Sequence, residues 1–165
     1  MTTTTQTHVM SDETWRRHAN KWSVITRFAS VPLIVAAIWS HASIGWWALL
    51  PFAAVAFWIW INPRLFPVPA STDNWASKAV LGERVWLNRK TIAIPRHHEV
   101  AALVLNLING AGGLVLAYGL WMLDPWPTAL GFAVMLMGKT WFLDRMVWLF
   151  DDMMHTSVTY RSWLY

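Results

Sequence analysis

The chain contains no cysteine, which excludes disulfides, thiolate nucleophiles and thiolate metal sites. Charge is scarce as well: 13% of the 165 residues are Asp, Glu, Lys or Arg, against 56% that are hydrophobic. A soluble domain of this size has no interior large enough for so much apolar surface. None of the six histidines lies in the middle of an apolar stretch, which argues against a haem held by two imidazoles between helices. The clustered histidines of membrane desaturases and hydroxylases are missing, as are any signature metal-binding string and any nucleophile–base pair. No catalytic residue can be assigned on that basis. The most informative absence concerns basic residues. All 13 lysines and arginines lie outside residues 40–43 and 124–127, two short segments that each join a pair of apolar stretches.

Basic residues are retained on the cytoplasmic side of a membrane. The pattern therefore predicts an all-α, polytopic protein of the cytoplasmic (inner) membrane, with four transmembrane helices arranged as two hairpins and both termini cytoplasmic. The expected spans are residues 23–39, 44–61, 100–123 and 128–143. At about 1.5 Å per residue the uncharged second stretch reaches ~27 Å, enough to cross. Arg27 stands one turn inside the first span, from where a long side chain can snorkel back to the headgroups. Pro32 is expected to kink that helix slightly. Residues 40–42 loosely fit a signal-peptide cleavage site, but the leader before the apolar core is long for one, which favours a span.

Fourteen tryptophans suit the boundary between hydrocarbon and headgroups. Trp46 and Trp47 open the second span; Trp58 and Trp60 close it. The formal charge of +4 is explained by orientation and by anionic headgroups as partners, not by nucleic acid. Residues 1–11 are threonine-rich without an apolar period and read as a disordered tail, leaving residues 12–165 as one membrane domain. Trp15 and Trp22, set among Arg16, Arg17, His18 and Lys21, share a helical face and suggest an interfacial lead-in.

Between the two hairpins, Pro63, Pro67 and Pro69 cannot continue a helix, so residues 62–69 are expected to leave the membrane. Ser71, Thr72 and Asp73 are N-cap candidates for a cytoplasmic amphipathic helix over residues 74–88. Trp75, Ala79, Gly82 and Trp86 form a stripe on it. That stripe can lie on the bilayer with Lys78, Arg84, Arg89 and Lys90 toward an anionic leaflet, or the same residues can cap the bundle from below. In the third span Ala102, Asn106, Gly110, Gly113 and Ala117 share one face, a seam where a neighbouring helix can approach closely, with Asn106 and Asn109 bonding across it.

The fourth helix shows no break before about residue 156 and is expected to emerge as a cytoplasmic extension over 144–155. Asp144, Asp151 and His155 lie on one stripe there, together with Thr140 and Trp148. Asp151 and His155 are spaced to hold a divalent cation or to serve in acid/base chemistry. Ion pairing of Asp144, Asp151 and Asp152 with Arg145 and the central basic residues is the favoured reading, so no cofactor is predicted beyond a possible divalent metal. His97 and His98 are adjacent and diverge by about 100° on a helix, which does not make a natural chelating pair. An interfacial or capping role is expected for them, and a solvated loop position for His41.

The strings KWSV (21–24), NPRLFP (62–67), NWASKAVLGERVW (74–86), WFLDRMVW (141–148) and YRSWLY (160–165) resemble a family of small prokaryotic integral membrane proteins known only as a domain of unknown function. The resemblance covers nearly everything after the threonine-rich tail. It implies a membrane protein and carries no activity or cofactor with it. Three function classes follow. The first is a structural or accessory subunit that assembles with itself or another membrane protein through its helices and cytoplasmic platform. The second is a membrane enzyme or metal-binding protein with a site at the cytoplasmic interface, built from Asp144, Asp151 and His155, with His97, His98 or Glu83 as further candidates. The third is a transporter or channel subunit, which the near absence of ionisable residues at mid-depth disfavours.

Overall fold

The chain is all-helical in the computed structural model, which describes residues 10–165 and shows no strand among them. In order, the described helices are α1 Asp12–His18, α2 Lys21–Trp39, α3 His41–Ile44, α4 Leu49–Leu65, α5 Trp75–Leu87, α6 Arg96–Met122, α7 Pro125–Met153 and α8 Val158–Arg161. A 3-10 turn, Gly45–Ala48, stands between α3 and α4. Two helical stretches, Lys21–Leu65 and Arg96–Met122, are long and apolar enough to cross a membrane. Most of the expected tail, residues 1–9, lies outside the described residues. Ser11 does not belong to a tail: its hydroxyl accepts from Thr14 N (3.2 Å) and caps α1.

Local chemistry explains where these helices depart from the expected boundaries. Asn20 breaks the lead-in, because its Oδ1 accepts from Trp22 N (2.9 Å) to start α2 while its Nδ2 donates to Pro67 O (3.0 Å). Trp15 is consequently buried and Trp22 exposed, so the two share no face. The first reversal is longer than a tight turn: α3 and the 3-10 turn intervene, Gly45 takes a left-handed φ of 57°, and regular helix resumes only at Leu49. At its far end α4 runs through Pro63 to Leu65, past the expected stop at residue 61. A proline in a last turn forfeits one ladder bond and little else. Asn62 is fully buried there and its Nδ2 donates to Thr26 Oγ1 (2.8 Å).

The second reversal is shorter than expected. Leu123 adopts a φ of 53°, Asp124 Oδ1 accepts from Trp126 N (3.0 Å), and α7 begins at once with Pro125. Pro125 and Pro127 sit in the first turn, where a missing N–H costs no bond. From there α7 is continuous to Met153, as the unbroken periodicity predicts.

Contacts divide the chain into two compact units. Of the described residues, the first comprises 10–25, 63–101 and 143–165 and the second 26–62 and 102–142. The first has an apolar core: Trp15, Val80, Val85, Met146, Leu149, Phe150 and Tyr160 are all buried. Each such side chain contributes roughly 1.5–3 kcal/mol of burial. The α5 segment supplies much of that core, with Ala76, Ser77, Ala79, Val80, Leu81, Gly82 and Val85 buried. Ala79 and Gly82 of its stripe therefore pack against protein and not toward a bilayer, whereas Trp75 is exposed. Its N-cap is Asn74, whose Oδ1 accepts from Ser77 N (3.0 Å), in place of the expected Ser71, Thr72 or Asp73.

The second unit is built the other way round. Leu33, Phe57, Leu103, Leu107 and Leu130 face outward, and Trp121 is 86% exposed, whereas Ser30, Asn62 and Thr128 are buried. Its α6 and α7 segments meet through glycine. A Cβ added at Gly119 would fall on the backbone of Thr128, at Gly131 on Leu116, at Gly112 on Met135, and at Gly138 on Asn109. Each step back along α6 is matched by an equal step forward along α7, the register of an antiparallel pair. Asn109 Nδ2 adds a hydrogen bond to Met135 O (3.0 Å).

This seam lies round the helix from the expected one. Of the five predicted residues only Ala102 is buried; Asn106 is exposed and its Nδ2 turns back to Ala102 O (2.9 Å). Gly110 and Gly113 have nothing within 4 Å of a Cβ position, and Ala117 is exposed. Within this chain α6 meets α7 through the face that carries Leu105 and Leu116, and the predicted stripe stays on the outside.

Candidate functional site

Nearly all the charged chemistry of the described chain is in the first unit. Of the 13 basic residues only Arg27 and Lys139 fall in the second, and of the nine acids only Asp124. Within the first unit several of these charges are paired with one another. Lys78 reaches Asp73 (3.0 Å) and Asp151 (3.3 Å), and the hydrogen bond to Asp73 holds its ammonium above the ordinary lysine value against partial burial. Arg84 pairs with Asp12, and its guanidinium lies 4.1 Å from the ring centre of Trp163. Burial pushes Arg84 below the ordinary arginine value although Asp12 pulls the other way.

The three residues singled out as possible ligands are drawn apart by these pairings. Asp144 Oδ1 accepts from Trp75 Nε1 (3.0 Å), Asp151 is held by Lys78, and His155 Nδ1 lies 3.3 Å from Arg161 Nη2. The expected ion pairing thus holds for Asp151 with Lys78. The residues expected at a headgroup surface also divide. Lys90 is exposed and Trp75 partly so. Arg84 is turned inward to Asp12, and Arg89 folds over Trp86 at 3.9 Å while donating to Trp86 O (2.8 Å).

A different cluster forms where the start of α6 comes close to the end of α7. His98 is 1% exposed, and its Nε2 lies 2.7 Å from Asp152 Oδ2. His97 Nε2 lies 3.9 Å from the same oxygen, and the two imidazole rings are 4.1 Å apart, tilted by 39°. Ligating atoms of His97, His98 and Asp152 all fall within 4.8 Å of one another. Sequence reasoning offered His97 and His98 as further candidates for a cytoplasmic site but did not join them to Asp152. Divergence of 100° between adjacent positions describes Cβ directions, yet in a first helical turn two long imidazoles can still reach one carboxylate.

Elsewhere in the first unit residues 157–165 lie along the segment before α5. Thr72 N donates to Tyr165 O (2.7 Å), Thr72 Oγ1 donates to Trp163 O (2.7 Å), and Tyr165 N donates to Thr72 Oγ1 (3.0 Å). Under this strap is a cavity of about 350 Å³ lined by Trp15, Arg16, Thr72, Leu81, Arg84 and Trp163.

A model of a family of unknown function, DUF6653, matches residues 3–162. The chain belongs to that family. No curated protein and no solved structure matches it. Membership of DUF6653 covers both units and assigns a reaction to neither, so function has to be argued from the two units themselves.

Proposed function

We propose that the chain is a multi-pass protein of the cytoplasmic membrane, in which the second unit crosses the bilayer as two hairpins and the first is a cytoplasmic helical platform. On this reading it serves as a structural or accessory subunit. The observation that carries the proposal is the coincidence of two independent partitions: the unit that contacts separate from the rest is also the unit that charge avoids. A helix of a soluble core would be mostly buried, but only 6% and 22% of the two most apolar helical windows are. An apolar exterior over an interior that includes glycine, serine and asparagine beside Leu105, Leu116 and Phe142 suits packing in lipid, where small residues and interhelical amides hold helices together. Exposed Trp46, Trp47, Trp121 and Trp126 near the two reversals suit an interface on the far side. Transport draws no support from the second unit, whose one acid, Asp124, sits in a turn.

Cysteine accessibility tests the topology in this cysteine-free background. With Ser43→Cys, an impermeant maleimide should label intact cells from outside; with Thr156→Cys it should label only after lysis. Equal external labelling of both would overturn the arrangement. The accessory role is tested by molar mass in mild detergent together with crosslinking in membranes. A defined assembly supports it, and an isolated chain in both measurements removes it.

A further inference from the structure

We propose that His97 Nε2, His98 Nε2 and a carboxylate oxygen of Asp152 form a binding site for a divalent transition-metal ion of zinc's class. Two imidazoles and one carboxylate are donors that suit Zn²⁺, Co²⁺ or Ni²⁺, whereas Mg²⁺ and Ca²⁺ prefer oxygen alone. The spacing fits as well. Ligand atoms about 2.0–2.2 Å from a tetrahedral ion stand roughly 3.3–3.5 Å from one another, and the separations from Asp152 Oδ2 are 2.7 Å to His98 and 3.9 Å to His97. Shifts of roughly 0.4–0.8 Å bring these two separations to that distance, and the third, from His97 to His98, is within 4.8 Å. His98, 1% exposed, is the fixed donor; His97 and Asp152, at 68% and 56%, leave a path of entry and open positions for water or an external ligand.

The state of Asp152 is a separate observation pointing the same way. Four other carboxylates of the first unit face fixed cations, Asp12 with Arg84, Asp73 and Asp151 sharing Lys78, and Glu13 with Arg17, while Asp144 accepts from the Trp75 indole. Among the described residues, the ion-pair partners of Asp152 are only the two imidazoles, and no lysine or arginine. Asp152 also stands in the last turn of α7, where helix carbonyls favour a cation and no basic residue is present. The first turn of α6, with Arg96 in it, opposes a cation, and Glu99 in that turn offsets this in part. His98 Nδ1 is buried without a hydrogen-bond partner, so the Nε2 side is where this ring does its polar work. A bound ion would tie the start of α6 to the end of α7 and present an open coordination position at the surface of the first unit.

The test is metal binding by the full chain in mild detergent, with Co²⁺ followed by its visible spectrum and Zn²⁺ by competition with a chromophoric chelator. One equivalent should bind and resist millimolar Mg²⁺. His97→Ala and Asp152→Asn, both at exposed positions, should each weaken binding at least tenfold while circular dichroism is unchanged. His155→Ala and Asp151→Asn should bind as the parent does. Absence of stoichiometric binding by the parent overturns the proposal and leaves a histidine–aspartate tie only. Binding undiminished in either cluster variant, or lost equally in His155→Ala, overturns it too. Because the readout is bound metal, the outcome is independent of the topology and accessory proposals.

Discussion

A Cβ placed on Gly82 would coincide with the main-chain carbonyl of Met146. In the first unit α5 therefore lies backbone to backbone against α7, which only glycine allows. Gly82→Ala should force the two apart at a cost of about 3 kcal/mol, the upper end for overpacking, and lower the melting temperature in detergent by roughly 6–12 °C. An unchanged melting temperature would show that α5 can slide without loss.

The α6–α7 register makes neighbouring glycines unequal. Gly112→Ala meets the backbone of Met135 and Val134, whereas Gly113→Ala enters open space. The first should lower thermal stability by about 1–3 kcal/mol. The second should leave it unchanged or raise it by up to ~1 kcal/mol through helix propensity. Reversal of that order in a melting series would move the seam back to the face carrying Asn106, Gly110 and Ala117.

Thr72→Val keeps the shape of a 2% exposed side chain and removes the hydroxyl that Trp163 O and Tyr165 N both use. Leaving those groups without a partner should cost about 1–3 kcal/mol. Amide exchange at residues 163–165 should quicken while exchange in residues 102–122 does not. Equal exchange in parent and variant would show that the strap is held by its other contacts.

Lys78 has a folded-state value raised above its ordinary 10.5. Its pairing with Asp73 and Asp151 therefore stabilises fully below that pH and is lost as pH rises through the raised value. Lys78→Met should cost less than about 1 kcal/mol near neutrality, since the acids are largely exposed. The parent should lose more stability than the variant above pH 10.5. Parallel stability curves in that range would show that the pair contributes nothing.

Periodicity and charge carried the long helices well, and local chemistry moved their ends. The continuous α7 was legible because no residue between 128 and 153 breaks it. Pro63 misled because its effect depends on how much helix follows, and only two residues of α4 do. The candidate site was less legible. Asp144, Asp151 and His155 share a stripe in sequence, but Trp75, Lys78 and Arg161 each claim one of them. His98 and Asp152 are separated by 54 residues, and no period along either helix relates them.

The sequence by itself determined the helical class, the segregation of charge from the apolar stretches, and the exclusion of cysteine chemistry. Each is a property of residue type and spacing along one chain. Tertiary structure alone decided which glycines face a neighbour, which acids already have a cation, and that His97, His98 and Asp152 converge. Those outcomes depend on the register of one helix against another, and register is set by contacts across the fold.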